Sequence, residues 1–180
     1  TLFRSQEGNL RPQLLDRFDL AVNVKSLGSP QDRLELLETR LAHLTYSGSA
    51  IERWRRLDRS TRSTIYDARK RLPRVGIEMR TLASIVFAMS YLEIDGHRPE
   101  LVLTRAAGAL AALRGRKRVI WDDVRDVSSL VLSHRTRKNG MQGPPSSKAI
   151  IEALSTGWGI GTKSGVADML VYLRGPRNSL

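Results

Sequence analysis

Apolar and polar residues alternate from Leu20 to Val24 in "LAVNVKS", the period of a half-buried strand. Beyond the break "LGSP" the apolar spacing lengthens to three and four. Ser29 offers a hydroxyl cap, Pro30 suits a first helical turn, and Leu34, Leu37, Leu41 and Leu44 fall on one helical face. "TYSGSA" reads as a loop. Ser49 caps a second, arginine-rich helix whose more apolar positions are Ile51, Trp54, Ile65, Ala68 and Leu72; the pattern leaves its continuity through Asp58–Ser63 open, and Pro73 ends it. A third helix is predicted from about Arg80 to Glu93, with Leu82, Ile85, Val86 and Met89 inward. "IDGHRPE" turns at Asp95-Gly96, and "PELVLTRAAGALAALRG" is a fourth helix closing on Gly115. "KRVIW" is short and extended. Asp122 and Asp123 then stand where a helix N-terminus favours negative charge, opening a fifth helix with Val124, Val127 and Val131 inward. It ends near His134, where Arg135, Arg137 and Lys138 suit a C-terminal end. "GMQGPPSSK" has the composition of a linker, and the remainder to Leu180 shows no clean period. There is no internal repeat.

The 180 residues suffice for one substantial domain or one and a half small ones. At 41% hydrophobic and 27% charged the composition is globular, and no apolar run approaches the roughly 18 residues of a membrane span. Thirty Lys and Arg against 18 Asp and Glu give a formal charge of +12. That excess points to an anionic partner, although the arginines of "ERWRRLDRSTRSTIYDARKRLPR" would spread over several faces of a helix, as on a solvated surface.

Little in the chain builds a self-contained catalytic centre. Cysteine is absent, which excludes a disulfide framework, a thiolate metal site and a thiol nucleophile. His43, His97 and His134 are too dispersed for a metal site, and His97 and Arg98 read as structural residues of a turn. "GWGIGTKS" (Gly157–Ser164) imitates a phosphate loop, but Thr162 stands where G-x-x-x-x-G-K-[ST] requires glycine. From the residues alone Arg17 pairs with a local carboxylate such as Asp16 or Asp19. Arg105 lies between Val102, Leu103, Ala106 and Ala107 in an otherwise apolar helix, so its charge needs a partner.

The blocks "EGNLRPQLLDRF", "ARKRLPRV", "DGHRPELVLTRAAGALAALRGRKRVIWDDVRDV" and "LVLSHRTRK" stand in the order and spacing of the magnesium chelatase ATPase subunits, a clade of AAA+ proteins, and the chain resembles that family over roughly residues 6–138. The resemblance implies a mainly α chain. Residues 1–28 would be the C-terminal edge of an AAA+ α/β core, 29–139 a helical-bundle lid domain, and 140–180 a linker and tail of unassigned structure. It implies that Arg17, beside Asp16, is an arginine finger acting on a neighbouring subunit, that Arg105 is sensor 2, and that Arg11 faces the subunit interface. It further implies ATP and Mg²⁺ held mainly by upstream residues, a homo-oligomeric ring, other chelatase subunits as partners, and a cytoplasmic or plastid-stromal setting. The full-length protein would insert Mg²⁺ into protoporphyrin IX for chlorophyll or bacteriochlorophyll synthesis. This chain alone, without a phosphate loop, is expected to be inactive. A related chelatase or MoxR-like ATPase, or a basic helical module binding nucleic acid, are the alternatives. The chain departs from the family before "LRPQLLDRF": Arg4-Ser5-Gln6-Glu7-Gly8 replaces Asn-Pro-Glu-Glu-Gly, whose asparagine is sensor 1. "TLFRS" is what a common sequencing adapter encodes, so Thr1–Ser5 are expected to be an assembly artefact on a truncated chain.

Overall fold

A computed structural model describes residues 14, 17–44, 48–138 and 141–163. Within them lie six α-helices: α1 (Pro30–Leu44), α2 (Gly48–Arg71), α3 (Met79–Tyr91), α4 (Arg98–Leu113), α5 (Trp121–Leu132) and α6 (Ser147–Lys163). A 3-10 turn, Leu72–Arg74, follows α2 directly, because Pro73 cannot continue the α-helical ladder. Among the described residues there is no strand, only isolated bridges.

The core is built where α3, α4, α5 and α6 meet. Ile85, Ala88 and Met89 of α3, Leu103, Ala107 and Ala111 of α4, Val124, Val131 and Leu132 of α5, and Ile150, Ala153 and Leu154 of α6 form one buried cluster. Small residues on α4 let α5 pack closely along it, while α6 lies on α3. The positions that the spacing assigns inward on α5, Val124, Val127 and Val131, are buried. On α3 the inward face is rotated. Val86 is 37% exposed, while Ala83, Ser84 and Phe87 are buried, because α6 covers that flank.

Local chemistry sets the helix ends. Asp123, in the first turn of α5, accepts the Ile120 backbone N–H at 3.2 Å and is itself fully buried. Ser146 Oγ accepts the Ala149 N–H at 3.2 Å at the start of α6. Gly115 follows α4 at φ +74°, a left-handed conformation in which a side chain would be strained. The extended residues around Val75–Ile77 pair with "KRVIW": Gly76 N–H donates to Lys117 O at 2.9 Å, and Val119 N–H donates to Gly76 O at 3.0 Å.

The front of the chain differs from its pattern. Residues 20–24 do not form the expected strand; Val22 and Val24 are exposed, since no neighbouring strand pairs with them among the described residues. The leucine face of α1 forms a helix as expected but lies open, with Leu34, Leu37, Leu41 and Leu44 between 52% and 72% exposed. The arginine-rich helix runs unbroken through Asp58–Ser63 over 24 residues, about 36 Å.

Candidate functional site

The segment after Arg17, the 3-10 turn and α4 enclose a cavity of about 520 Å³, lined by Asp19, Leu20, Leu72, Val75, Ile77 and Arg105, with Val102 and Ala106 behind. Each wall has a local cause. Val102, Leu103 and Ala107 turn into the core, which leaves Arg105 on the exposed side of α4. The paired amides around Gly76 fix the stretch that carries Val75 and Ile77. The result is an apolar cleft with a cation at its edge. Among the described residues Arg105 forms no ion pair, so its charge remains available to an anionic ligand.

Arg17 is also exposed. The carboxylate of Asp19, one of its two candidate local partners, is held by Arg98 instead, at 2.9 Å. Arg98 also donates to the Arg17 carbonyl at 3.2 Å. The Arg17 backbone is thus tied by the Arg98 side chain to the start of α4, and Arg105 lies seven residues further on in that helix, about 10 Å along its axis. Arg11, Asp16 and Thr1–Ser5 lie outside the described residues.

The minor candidates resolve structurally. His97 is exposed at the start of α4. His134 is buried, with Nε2 2.9 Å from the Phe18 carbonyl oxygen. Among the described residues no group of histidines and carboxylates could hold a metal ion, and no helix is long and apolar enough to cross a membrane. Gly157–Lys163 of the phosphate-loop lookalike are helical, so their amides are spent on the helix and cannot cradle phosphate. Trp158 packs on Trp121 with ring centroids 5.3 Å apart, and Arg80 lies over the Trp158 ring. The arginines of α2 are exposed along its length, as on a solvated face.

A separate charge cluster ties α4 to α5. Arg114 reaches Asp123 at 3.1 Å and Asp126 at 2.7 Å, and Arg116 also bonds Asp123. Arg114, and secondly Arg125, hold the Asp126 carboxyl below its ordinary value of 3.8. The same contacts, Asp126 first, raise Arg114. A depressed carboxylate stabilises the fold above its unfolded-state pKa, and that contribution is lost as pH falls through the lower folded value. Asp126→Asn should therefore narrow the difference in Tm between about pH 7 and about pH 3. Thermal melts across that range check it, and an unchanged acid limb would contradict it.

Sequence reasoning treated Arg98 as part of a turn. The signal that marks it out is a cation at the first residue of a helix, where the macrodipole disfavours positive charge.

Comparison with known proteins accords with this architecture. A family model described as the AAA lid domain matches residues 82–154. The magnesium-chelatase 38 kDa subunit of Rhodobacter capsulatus is 40% identical over 134 residues, covering 74% of this chain and 38% of the relative. The magnesium-chelatase subunit ChlI of Bigelowiella natans is 35% identical over 146 residues, covering 81% of this chain and 40% of the relative. The chain thus spans about two fifths of the length of the curated relatives it matches. A solved crystal structure from Cytophaga hutchinsonii superposes with a TM-score of 0.57 at 18% identity, over 84% of this chain and 50% of that one, and supports the fold. With a helical stretch that matches the AAA lid domain and these relatives, the chain is homologous to the magnesium-chelatase 38 kDa and ChlI subunits over most of its own length.

Proposed function

We propose that the full-length protein is a ring-forming ATPase that couples ATP hydrolysis to insertion of Mg²⁺ into protoporphyrin IX, acting with other chelatase subunits in the cytoplasm or plastid stroma. Similarity to the magnesium-chelatase subunits supports the activity. The observation that carries the assignment of residues is the disposition of the two arginines: Arg105 edges an apolar cleft of its own chain, while Arg17 is exposed and Asp19 is already occupied by Arg98.

The cleft fits a nucleotide. Leu72, Val75, Ile77 and Val102 give an apolar wall suited to a purine, and Arg105 gives a planar, permanently charged fork suited to phosphate oxygens. When bound, ATP supplies the phosphoanhydride whose cleavage drives the ring. Arg105 would hold phosphate of the nucleotide bound by its own subunit and couple lid orientation to the state of that nucleotide. Arg17 would enter the neighbouring subunit's site and neutralise charge that spreads over the γ-phosphoryl oxygens during transfer. Arg11 and Asp16 would face the same interface. The phosphate loop and the Mg²⁺ ligands belong to the upstream part of the module, so the 180 residues alone are expected to be inactive.

Subunit mixing tests this directly. Full-length chains carrying Arg17→Ala, and chains lacking the phosphate-loop lysine, should each be nearly inactive alone. Mixed rings should recover partial ATPase activity, since each chain supplies the half-site the other lacks. A mixture no more active than its components would contradict finger action in trans.

A further inference from the structure

The segment that presents Arg17 has no sheet or helix to hold it in the described residues, yet its backbone is fastened to the lid at successive positions. Arg98 donates to the Arg17 carbonyl at 3.2 Å and grips the Asp19 carboxylate at 2.9 and 3.2 Å. Arg135 donates to the Phe18 carbonyl at 2.9 Å, and His134 Nε2 lies 2.9 Å from the same oxygen. The Ala21 N–H donates to the Leu130 carbonyl at 2.8 Å. Arg135 is only 1% exposed, and its Nε donates to the Val131 carbonyl. Burying a guanidinium is costly unless its donors are met, and here one of them, Nη2, joins the end of α5 to the segment.

Arg98 and Arg105 share α4, seven residues apart, which is two turns and nearly the same face. One helix therefore carries both the arginine edging the nucleotide cleft and the arginine gripping the segment from which Arg17 projects. We propose that Arg98 and Arg135 are positioning residues for Arg17, fastening residues 17–19 to the lid so that the lid orientation set by a subunit's own nucleotide places the guanidinium it lends to its neighbour. This rests on the reading of Arg17 as a finger in trans.

The bland role, holding the fold together, makes a different prediction in subunit mixing. Arg98 and Asp19 are each about half exposed, with side chains at 50% and 49%, so Arg98→Ala should fold normally. Arg135→Lys, at a buried site, is the companion variant that keeps the charge and loses the fork. In full-length rings Arg98→Ala should lower kcat for ATP hydrolysis at least ~10-fold with a much smaller change in KM, because Arg105 and the apolar wall of its own cleft remain in place. Mixing it with the chain lacking the phosphate-loop lysine should restore activity, as a finger defect is repaired by a neighbour with a well-placed finger. Arg17→Ala mixed with the same lysine variant is the control. If the control recovers activity and Arg98→Ala does not, or if Arg98→Ala leaves kcat unchanged, the positioning role is overturned. Failure of the control itself refutes the finger reading instead.

Discussion

Full-length rings carrying Arg17→Ala are expected to hydrolyse ATP with kcat reduced by about 10³-fold or more, the scale on which an arginine finger acts in phosphoryl transfer. The KM for ATP should move little, because in the proposed arrangement the substituted side chain would belong to a chain other than the one that binds the nucleotide. That separation is diagnostic. An interaction made only as charge develops on the γ-phosphoryl oxygens lowers kcat and kcat/KM together, whereas loss of ground-state binding raises KM alone. A surface arginine engaged with a local carboxylate would contribute only about 0–1 kcal/mol to stability and nothing specific to turnover. Asp19 is already held by Arg98, which leaves less reason for the bland outcome. Steady-state kinetics of the variant decide between the two: a loss of less than about tenfold would place Arg17 outside the transition state.

Gly157 should be intolerant of any side chain, although it lies in a helix where alanine is normally preferred. A Cβ built there would stand 2.8 Å from the Ser84 carbonyl oxygen and 3.0 Å from a Phe87 ring carbon. Ser84 Oγ also donates to the Gly157 carbonyl at 3.3 Å, so α3 and α6 cannot separate without loss. Overpacking of this kind costs about 1–3 kcal/mol, against a gain of about 1 kcal/mol from replacing helical glycine by alanine. Gly157→Ala is therefore expected to be destabilising by about 1 kcal/mol, and Gly157→Leu by more than about 3 kcal/mol, with Tm falling roughly 2–4 °C per kcal/mol for a chain of 180 residues. Gly159, two residues on in the same helix, has nothing within 4 Å of a built Cβ. Gly159→Ala should raise Tm by a few degrees through propensity alone. Parallel melts of the two alanine variants check this; a stabilised Gly157→Ala would show that α6 does not pack on α3 as described.

The same glycine explains why the tail was hard to read. Ile150, Ala153, Leu154 and Gly157 stand at i, i+3, i+4 and i+7, the spacing of a buried helical face, but a pattern that scores hydrophobicity does not recognise glycine as a core position. The helices α3, α4 and α5 were legible because leucine, valine and alanine repeat at helical intervals between clear turn signals. The error at Val86 arose because periodicity fixes a stripe but not which flank a later helix covers. The alternation at Leu20–Val24 was real as a pattern, yet a strand exists only when another strand accepts its hydrogen bonds. At the site, Arg105 stood out as a lone charge in an apolar helix, whereas Arg17 was marked only by the resemblance of "LLDRF". The fastening of residues 17–19 by Arg98 and Arg135 joins positions some 80 and 117 apart in sequence, and no local pattern encodes such a contact.

The most direct test is a structure of the assembled full-length ring bound to a non-hydrolysable ATP analogue, with the distance from each guanidinium to the nearest phosphate oxygen measured across the interface. The Arg17 guanidinium should lie within about 3 Å of the γ-phosphate held by the adjacent subunit, and that of Arg105 at similar range from phosphate of its own nucleotide. An Arg17 side chain turned to solvent, or paired with acids of its own subunit while the neighbouring site is filled, would contradict the proposed division of labour.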